Sequence, residues 1–411
     1  MKIEKIVINN FAGFDHKEIE LNSKSAVFFG KNGSGKSSML KAINIIFSRI
    51  NKEFNIKSIK FEESFINKKY DSSSVLLTVK FEKEVYELKQ TISKYKKENK
   101  KFEKEESHLF EDFKDALIKI RQNRKDIYVF YGLSRKKSDS KTKNNYDYSK
   151  FTNLIECNVD FDDLFYWIKD AEDYQNNLIV KKKDFDYKDK NLLAVKKAIS
   201  IFFDEKVNIF IERQFDIDLC FQFKNKALYY SELSDGEKAV ISLFGDIARR
   251  LCDANTSLQN PLEGNGIVII DEIEQHLHPS WQRQILKKLH KTFPNIQFII
   301  TTHSPIIISE IDKDYAVLHF YTNNDGFCDV SMEMNLTGYD VNKVLERYMD
   351  TDSENGTIIN MKSKVSKAIN DNKFNEAEKL INKLKKITYD ANEDVAMFEF
   401  NLERKKSVKN Q

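Results

Sequence analysis

One segment of the sequence combines glycines, a lysine and hydroxyl groups at a spacing that suits the binding of phosphate. Residues 30–37 fit the pattern G-x-x-x-x-G-K-[ST] without a mismatch, and an apolar strand precedes them. Glycines let successive backbone N–H groups point at an anion, and the start of the following helix adds partial positive charge. These features favour a nucleotide-binding loop over a chance match in a glycine-rich turn. The predicted nucleotide-binding residues are Gly30, Lys31, Asn32, Gly33, Ser34, Gly35, Lys36, Ser37 and Ser38.

A second segment places two acids at the end of an apolar strand. Residues 267–270 are all apolar, and Asp271 and Glu272 follow them directly. Buried carboxylates are costly unless they are paired or bind a metal ion. We predict that Asp271 holds Mg²⁺ together with the Ser37 hydroxyl and that Glu272 polarises the attacking water as a general base. A strand ending in Asp-Glu is by itself more often a turn, but its combination with the phosphate-binding loop favours a catalytic site.

Ser234, Asp235, Gly236 and Glu237 open a predicted helix. A serine followed by a glycine at a helix N-terminus can bind an anion. An ordinary capping box between Ser234 and Glu237 explains the same pattern, and residue chemistry alone prefers that interpretation.

Histidines follow two of the apolar segments. His303, after residues 296–301, could donate a hydrogen bond to a γ-phosphate, although a lone histidine after a strand is usually structural. His276 and His278 lie close to the acids and suggest a metal site. We disfavour that site because no third neutral ligand has the right spacing.

The elements that must position these residues follow from hydrophobic periodicity and turn signals. Strands alternate with helices around the motifs, which predicts a mainly parallel sheet. After Gly338 only amphipathic helices are predicted. The predicted strands are 3–9, 17–21, 25–29, 75–81, 84–92, 127–131, 207–211, 217–223, 227–230, 267–270, 296–301 and 316–321. The predicted helices are 36–48, 94–125, 161–176, 191–203, 238–254, 280–292, 340–349, 357–370, 374–387 and 390–405, with a loop at 134–150 that we expect to be disordered.

This order predicts a split core domain with a region inserted between its halves. Residues 1–50 form the N-terminal half of the core, and residues 231–335 form the C-terminal half. Residues 51–230 are the inserted region, and residues 336–411 are a helical C-terminal region.

The composition indicates which class of protein this is but says little about its partners. Of the 411 residues 41% are hydrophobic and 32% are charged, which suits a folded chain rather than a disordered one. No apolar run approaches the roughly 20 residues of a membrane span, and the polar–apolar alternation of residues 1–8 does not resemble a signal peptide. We therefore expect a cytoplasmic protein without a membrane partner. The net charge of +3 is uninformative, but residues 94–104 and 135–143 are basic runs, either solvated surfaces or nucleic-acid contacts.

The order of the motifs resembles that of the ABC-type ATPase head shared by SMC, RecF and OLD-type proteins. More narrowly, residues 233–282 resemble the AAA-domain ATPases of bacterial anti-phage defence systems, among them PtuA of Septu and the Septu-like ATPases associated with retrons. The resemblance is strongest over residues 1–50 and 228–310. It implies an α/β P-loop NTPase fold: an ABC-type ATPase head with a split core, an inserted middle region and a C-terminal helical appendage.

The resemblance also implies a mechanism and partners. ATP and Mg²⁺ would be the cofactors, with slow Mg²⁺-dependent hydrolysis and His303 as the switch histidine. Two protomers of such heads meet head to tail, so Ser234, Asp235, Gly236 and Glu237 would close on the partner's ATP in a homodimer or higher oligomer. The chain would regulate a separate effector, an HNH nuclease like PtuB, and DNA, RNA or the msDNA of a retron could be a further partner.

Two other functions are alternatives to this one. A DNA-repair ATPase of the RecF or SMC kind would bind DNA directly, but no heptad pattern is sustained over the three to four heptads that its coiled coil would need. A transporter ATPase is disfavoured for two reasons. Residues 51–230 are inserted between the halves of the core, and the signature motif at residues 234–237 has Asp235 where transporters carry glycine.

Overall fold

The computed structural model describes residues 1–53, 61–94, 126–132, 161–213, 217–334, 336–349, 356–388 and 394–409. The chain divides into two compact units, Met1–Tyr339 and Asp340–Gln411. The strands are β1 (Lys2–Asn9), β2 (His16–Glu20), β3 (Ser25–Gly30), β4 (Ser72–Phe81), β5 (Glu84–Ser93), β6 (Asp126–Tyr131), β7 (Asn208–Glu212), β8 (Asp218–Gln222), β9 (Ala227–Tyr229), β10 (Asn265–Ile270), β11 (Ile296–Thr302), β12 (Tyr315–Thr322) and β13 (Cys328–Glu333). The helices are α1 (Lys36–Glu53), α2 (Phe161–Lys182), α3 (Lys190–Phe203), α4 (Asp235–Ala254), α5 (Pro279–Gln282), α6 (Ile285–Thr292), α7 (Pro305–Ile308), α8 (Val341–Met349), α9 (Gly356–Asn370), α10 (Phe374–Thr388) and α11 (Asp394–Lys409).

A six-stranded sheet forms the centre of the first unit. Its strand order is β13-β12-β3-β11-β10-β6, and every neighbouring pair is parallel except the edge pair β12–β13. Strands β3 and β11 are buried along their whole length, as expected for parallel strands covered on both faces. The predicted parallel sheet is confirmed. Because parallel strands point the same way, the segments that follow β3, β10 and β11 meet at one edge of the sheet.

A second sheet packs with helix α1 against the central sheet. Its four antiparallel strands are ordered β2-β1-β4-β5. Apolar side chains of β1, α1 and β4 share one core cluster with residues of β3, β10 and β11. The helix that begins in the phosphate-binding motif is therefore held between two sheets.

The middle of the chain contributes to several parts of the first unit. Strand β4 pairs with the N-terminal strand β1, and β5 pairs with β4. Strand β6 is the parallel neighbour of β10 in the central sheet. Strands β7, β8 and β9 form a separate three-stranded sheet. The residues expected to form one insertion, 51–230, are thus divided among the four-stranded sheet, the central sheet and the three-stranded sheet.

Two local predictions were wrong. The continuous helix expected over 280–292 is broken into α5 and α6, because Gln284 donates its N–H to Trp281 three residues back and its φ of −113° departs from that of a regular α-helix. Strand β13 was not predicted. Its alternating residues suit an edge strand with one buried side chain, Val330.

The described residues of the second unit form four helices. Helices α9, α10 and α11 share a small core that includes Val365, Ile381 and Phe398. None of the helices in the described ranges is long and apolar enough to cross a membrane. The basic run 135–143, almost all of the run 94–104, and the expected loop 134–150 lie outside the described residues.

Candidate functional site

The phosphate-binding motif forms a turn that only glycine can build at two positions. It joins the end of β3 to the start of α1. Gly30 has a φ of +140°, and a Cβ there would lie 2.0 Å from the Phe320 carbonyl oxygen. Gly35 has a φ of +102°, and its Cβ would lie 2.6 Å from the ring of Phe14. The turn is therefore closely packed at both glycines, and it can place N–H groups close to an anion.

The Lys36 ammonium lies inside this turn. Its Nζ donates to the carbonyl oxygens of Gly30, at 2.9 Å, and Lys31, at 2.8 Å. Burial lowers the pKa of Lys36 to about 8, and the negative charges of three nearby carboxylates oppose that shift. Those carboxylates belong to Asp271, Glu274 and Glu272. The cation is thus poorly solvated, which strengthens its attraction for a phosphate.

The other motif residues fit a bound nucleotide. Ser34 is 2% exposed, and its Oγ has no hydrogen-bond partner among the described residues. A buried unpaired hydroxyl is unfavourable, and a phosphate oxygen would satisfy it. Lys31, Asn32 and Gly33 are exposed, while Ser37 and Ser38 are partly buried at the start of α1.

Asp271 lies beside Ser37 at the end of β10. The Ser37 Oγ and the Asp271 Oδ1 are 3.5 Å apart. Two hard oxygen donors at this separation suit a divalent cation such as Mg²⁺, which keeps several of its waters. Within the described ranges no cluster of three or more His, Cys, Asp or Glu residues could hold a metal ion.

Thr301 fixes both acids, and sequence reasoning missed it. Its hydroxyl donates to Asp271 Oδ1 and accepts the N–H of Glu272 at 2.7 Å. Glu272 has an unfavourable φ of +46°, and Gln275 donates to its Oε2 at 2.9 Å. The signal that could have identified Thr301 is its position at the end of a strand parallel to β10.

His303 approaches the same acids from the end of β11. Its Nε2 is 3.9 Å from Glu272 Oε1, and its backbone N–H donates to Glu274 Oε1 at 2.5 Å. Burial lowers the pKa of His303, and the Lys36 charge lowers it further. Burial also raises the pKa of Glu274. The site therefore contains a neutral imidazole and a second carboxylate, Glu274, to which we had assigned no role.

Residues 234–237, called the Ser234 motif below, form the capping box of helix α4. Ser234 Oγ accepts the N–H of Glu237 at 3.3 Å, and Glu237 Oε2 accepts the N–H of Ser234 at 2.9 Å. Asp235 is exposed in the first turn. A Cβ on Gly236 would lie 2.8 Å from the His276 carbonyl oxygen, so this helix start packs against the loop that follows the two acids.

The structure brings together one group of predicted residues and leaves another apart. Lys36, Ser37, Asp271, Glu272 and His303 converge at one edge of the central sheet. The hydrogen bonds of Ser234 go to Glu237 and stay within its own helix start, as far as the described residues show.

Comparisons with known proteins agree with this geometry. The chain is 26% identical over 374 residues to a protein named "Retron Vc95 probable ATPase" from Vibrio cholerae serotype O1 biovar El Tor, covering 75% of this chain and 73% of the relative. It is 45% identical over 146 residues to "Retron Ec83 probable ATPase" from Escherichia coli, covering 34% of this chain and 27% of the relative. It is 41% identical over 127 residues to "Septu protein PtuA" from Bacillus mycoides (strain KBAB4), covering 30% of this chain and 17% of that protein.

These relatives confirm the resemblance inferred from the motifs. The fold is an α/β P-loop fold of the ABC-type ATPase head, with the phosphate-binding loop between β3 and α1 of a mainly parallel sheet. A family profile matches residues 25–309, which is more than half of the chain. The protein therefore belongs to the family described as "AAA domain, putative AbiEii toxin, Type IV TA system".

Proposed function

We propose that this protein is the regulatory ATPase of a bacterial anti-phage defence system and that its nucleotide state controls a separate effector. The observation that carries the proposal is the convergence of Lys36, Ser37, Asp271 and Glu272 at one sheet edge. Similarity to a probable retron ATPase over 75% of the chain supports the defence setting. The chain covers only 27% of the Ec83 relative and 17% of the PtuA relative, so a shared role for the whole protein is proposed rather than shown.

Each residue of the site has a proposed role in ATP hydrolysis. The loop 30–38 binds the phosphates through its backbone N–H groups and the Lys36 ammonium. Ser37 and Asp271 would hold Mg²⁺, which neutralises phosphate charge when bound. Glu272 accepts a proton from the attacking water, and the neutral His303 donates a hydrogen bond to a γ-phosphate oxygen. We expect hydrolysis to be slow and to require Mg²⁺.

The exposed start of helix α4 supports a head-to-tail dimer. Ser234 lies at the N-terminus of a 20-residue helix, where the backbone N–H groups favour an anion. We propose that Ser234, Asp235, Gly236 and Glu237 close on the nucleotide held by the partner protomer, in a homodimer or a higher oligomer.

Replacing Thr301 with valine tests the support of the two acids. The variant has nearly the same shape but leaves Asp271 Oδ1 and the Glu272 N–H without their shared partner. Each unmade hydrogen bond costs about 1–3 kcal/mol. We expect the kcat for ATP to fall about tenfold or more, as typical of lost supporting contacts, and the melting temperature to fall by several degrees. Thr301→Ser keeps the hydroxyl and should retain most of the activity. If valine and serine variants hydrolyse ATP equally well, the hydroxyl has no positioning role.

The effector is proposed to be a separate HNH nuclease like PtuB. DNA, RNA or the msDNA of a retron is a further proposed partner, and the basic runs 94–104 and 135–143 are its proposed contacts. Residues 340–411, which include α8 to α11 and form a compact unit, are the proposed docking region for the effector.

The proposed function is tested by co-expressing the chain with the protein encoded next to it. We expect the two to co-purify, ATP to be hydrolysed slowly only with Mg²⁺, and cleavage of DNA or RNA by the complex to differ between ATP, ADP and no nucleotide. Phage plating should be reduced by the intact pair and restored by Glu272→Gln in this chain. The proposal is contradicted if nucleic-acid cleavage is the same with ATP, ADP and no nucleotide, and if phage plating is the same with the wild-type chain and Glu272→Gln.

A further inference from the structure

Tyr131 at the end of strand β6 contacts two separate parts of the molecule. Its backbone carbonyl accepts the N–H of Asp271 at 2.8 Å. Its side-chain hydroxyl donates to Asp246 Oδ2 in helix α4, also at 2.8 Å. Tyr131 is fully buried, so water does not compete for either bond. One residue thus joins the backbone of the proposed cation-holding acid to the helix that begins with Ser234.

The Asp246 carboxylate is held rigidly at its end of this connection. Arg250 Nε donates to its Oδ2 at 2.7 Å, and Arg249 donates to its Oδ1 through Nη2 at 2.5 Å and through Nε at 3.2 Å. All three residues are buried. Burial alone would raise the pKa of Asp246, but the charges of Arg250 and Arg249 outweigh it and hold the pKa well below its usual range. The carboxylate is therefore ionised at neutral pH, and its orientation is fixed by several donors.

Stability alone is a weak explanation for such a network. Buried ion pairs lose much of their attraction to the cost of desolvation, and apolar residues of similar size often stabilise a core equally well. What the network provides is a fixed direction for the Tyr131 hydroxyl. Tyr131 is therefore placed to connect strand β6 mechanically to helix α4.

Helix α4 can carry a displacement from its start to Asp246. Ser234 precedes Asp246 by 12 residues, or roughly 18 Å at 1.5 Å per residue along a regular helix. The helix is buried from Val240 onward on most of its sides, and a Cβ on Gly245 would lie 2.5 Å from Leu164. A helix packed this tightly shifts as a rigid body rather than bending.

We propose that Tyr131 is a positioning residue that ties Asp271 to helix α4, so that the position of the Ser234 motif sets the geometry of the cation-holding acid in the same chain. The inference rests on the proposed ATPase function and on the proposed dimer. Closure of the Ser234 motif on a partner's nucleotide would then adjust the chain's own hydrolytic site through α4, Asp246 and Tyr131.

The test compares Tyr131→Phe with Tyr128→Phe. Tyr131→Phe removes the hydroxyl and keeps the ring and the carbonyl that holds Asp271. Tyr128 is a matched control in the same strand, since it is buried and its hydroxyl lies 3.5 Å from Asn44 Oδ1 in α1 rather than near α4. The measurements are kcat at several protein concentrations, the Mg²⁺ concentration giving half the maximal rate, the Kd for ATP without Mg²⁺, the melting temperature, and the dimer fraction by light scattering.

We expect Tyr131→Phe to lower kcat about tenfold to a hundredfold, to raise the half-maximal Mg²⁺ concentration several-fold, and to remove the rise of kcat with protein concentration. The Kd for ATP and the dimer fraction should stay close to those of the wild type, and the melting temperature should fall by no more than several degrees, as expected for one lost buried hydrogen bond. Tyr128→Phe should retain the wild-type kinetics. Unchanged kinetics in Tyr131→Phe would overturn the inference while leaving the ATPase function intact. A variant that does not fold, or that loses ATP binding as well, would show a structural role and overturn it too. A wild-type protein that hydrolyses no ATP would overturn the proposed function, and the inference with it.

Discussion

Replacing Lys36 with alanine is expected to weaken ATP binding at least about thirtyfold. The ammonium is buried and donates to the carbonyl oxygens of Gly30 and Lys31, so it is held where phosphates would contact the loop. Removing one partner of a buried charge pair costs about 2–5 kcal/mol. Alanine also removes all positive side-chain charge from the interior of the turn. Calorimetry or fluorescence with a labelled ATP analogue measures the change in Kd.

The same lysine should make ATP binding depend on pH. Burial places the pKa of Lys36 at about 8 in the free protein, below its ordinary value of 10.5. A phosphate favours the charged form, so binding takes up a proton wherever the free lysine is neutral. The affinity for ATP should therefore be constant with respect to this group below about pH 8 and fall as the pH rises above it. Lys36→Ala should lack this dependence.

Lys41→Ala is the matched control for Lys36→Ala. Lys41 is an exposed lysine on the same helix, so its removal changes net charge equally without touching the loop. We expect it to bind ATP like the wild type. If Lys36→Ala also binds ATP with wild-type affinity, the assignment of residues 30–38 to the phosphates is wrong.

The sequence predicts the parts of the site that are contiguous along the chain. The phosphate-binding motif and the Asp271–Glu272 pair each lie within one segment, and each follows an apolar strand. Parallel strands also predict that the motif and the two acids meet at one edge of the sheet. The order of the strands in the sheet cannot be predicted in this way. Sequence reasoning could not place β6 next to β10, since Tyr128 to Tyr131 gives the same buried-strand pattern in either sheet.

The residues that sequence reasoning missed act across strands. Thr301 reaches Asp271 and Glu272 only because β11 is the neighbour of β10. Tyr131 reaches Asp271 only because β6 is the neighbour on the other side. Their roles depend on register, which periodicity does not determine. Glu274 could have been noticed from its place beside the acids, but its contact with the His303 backbone required the structure.

Glu272→Gln is expected to separate ATP binding from hydrolysis. The side chain keeps its size, and the Gln275 amide can still donate to one of its oxygens. Only the capacity to accept a proton from water is lost. Positioned general bases contribute about 10²- to 10⁴-fold to a rate, so we expect kcat to fall about a hundredfold or more while the Kd for ATP changes less than about twofold. A variant that binds but does not hydrolyse ATP should also accumulate as a dimer, which light scattering measures.

Two comparisons make this result specific to Glu272. Glu62→Gln is the control for the loss of one negative charge, because Glu62 is exposed and makes no side-chain capping bond. Glu274→Gln tests the neighbouring acid. Its amide oxygen can still accept the N–H of His303, so its kcat should fall far less than that of Glu272→Gln. If Glu274→Gln instead abolishes hydrolysis while Glu272→Gln retains it, the general base is Glu274. In that case the acid placed directly after Asp271, with its unfavourable φ of +46°, serves to shape the turn rather than to accept the proton.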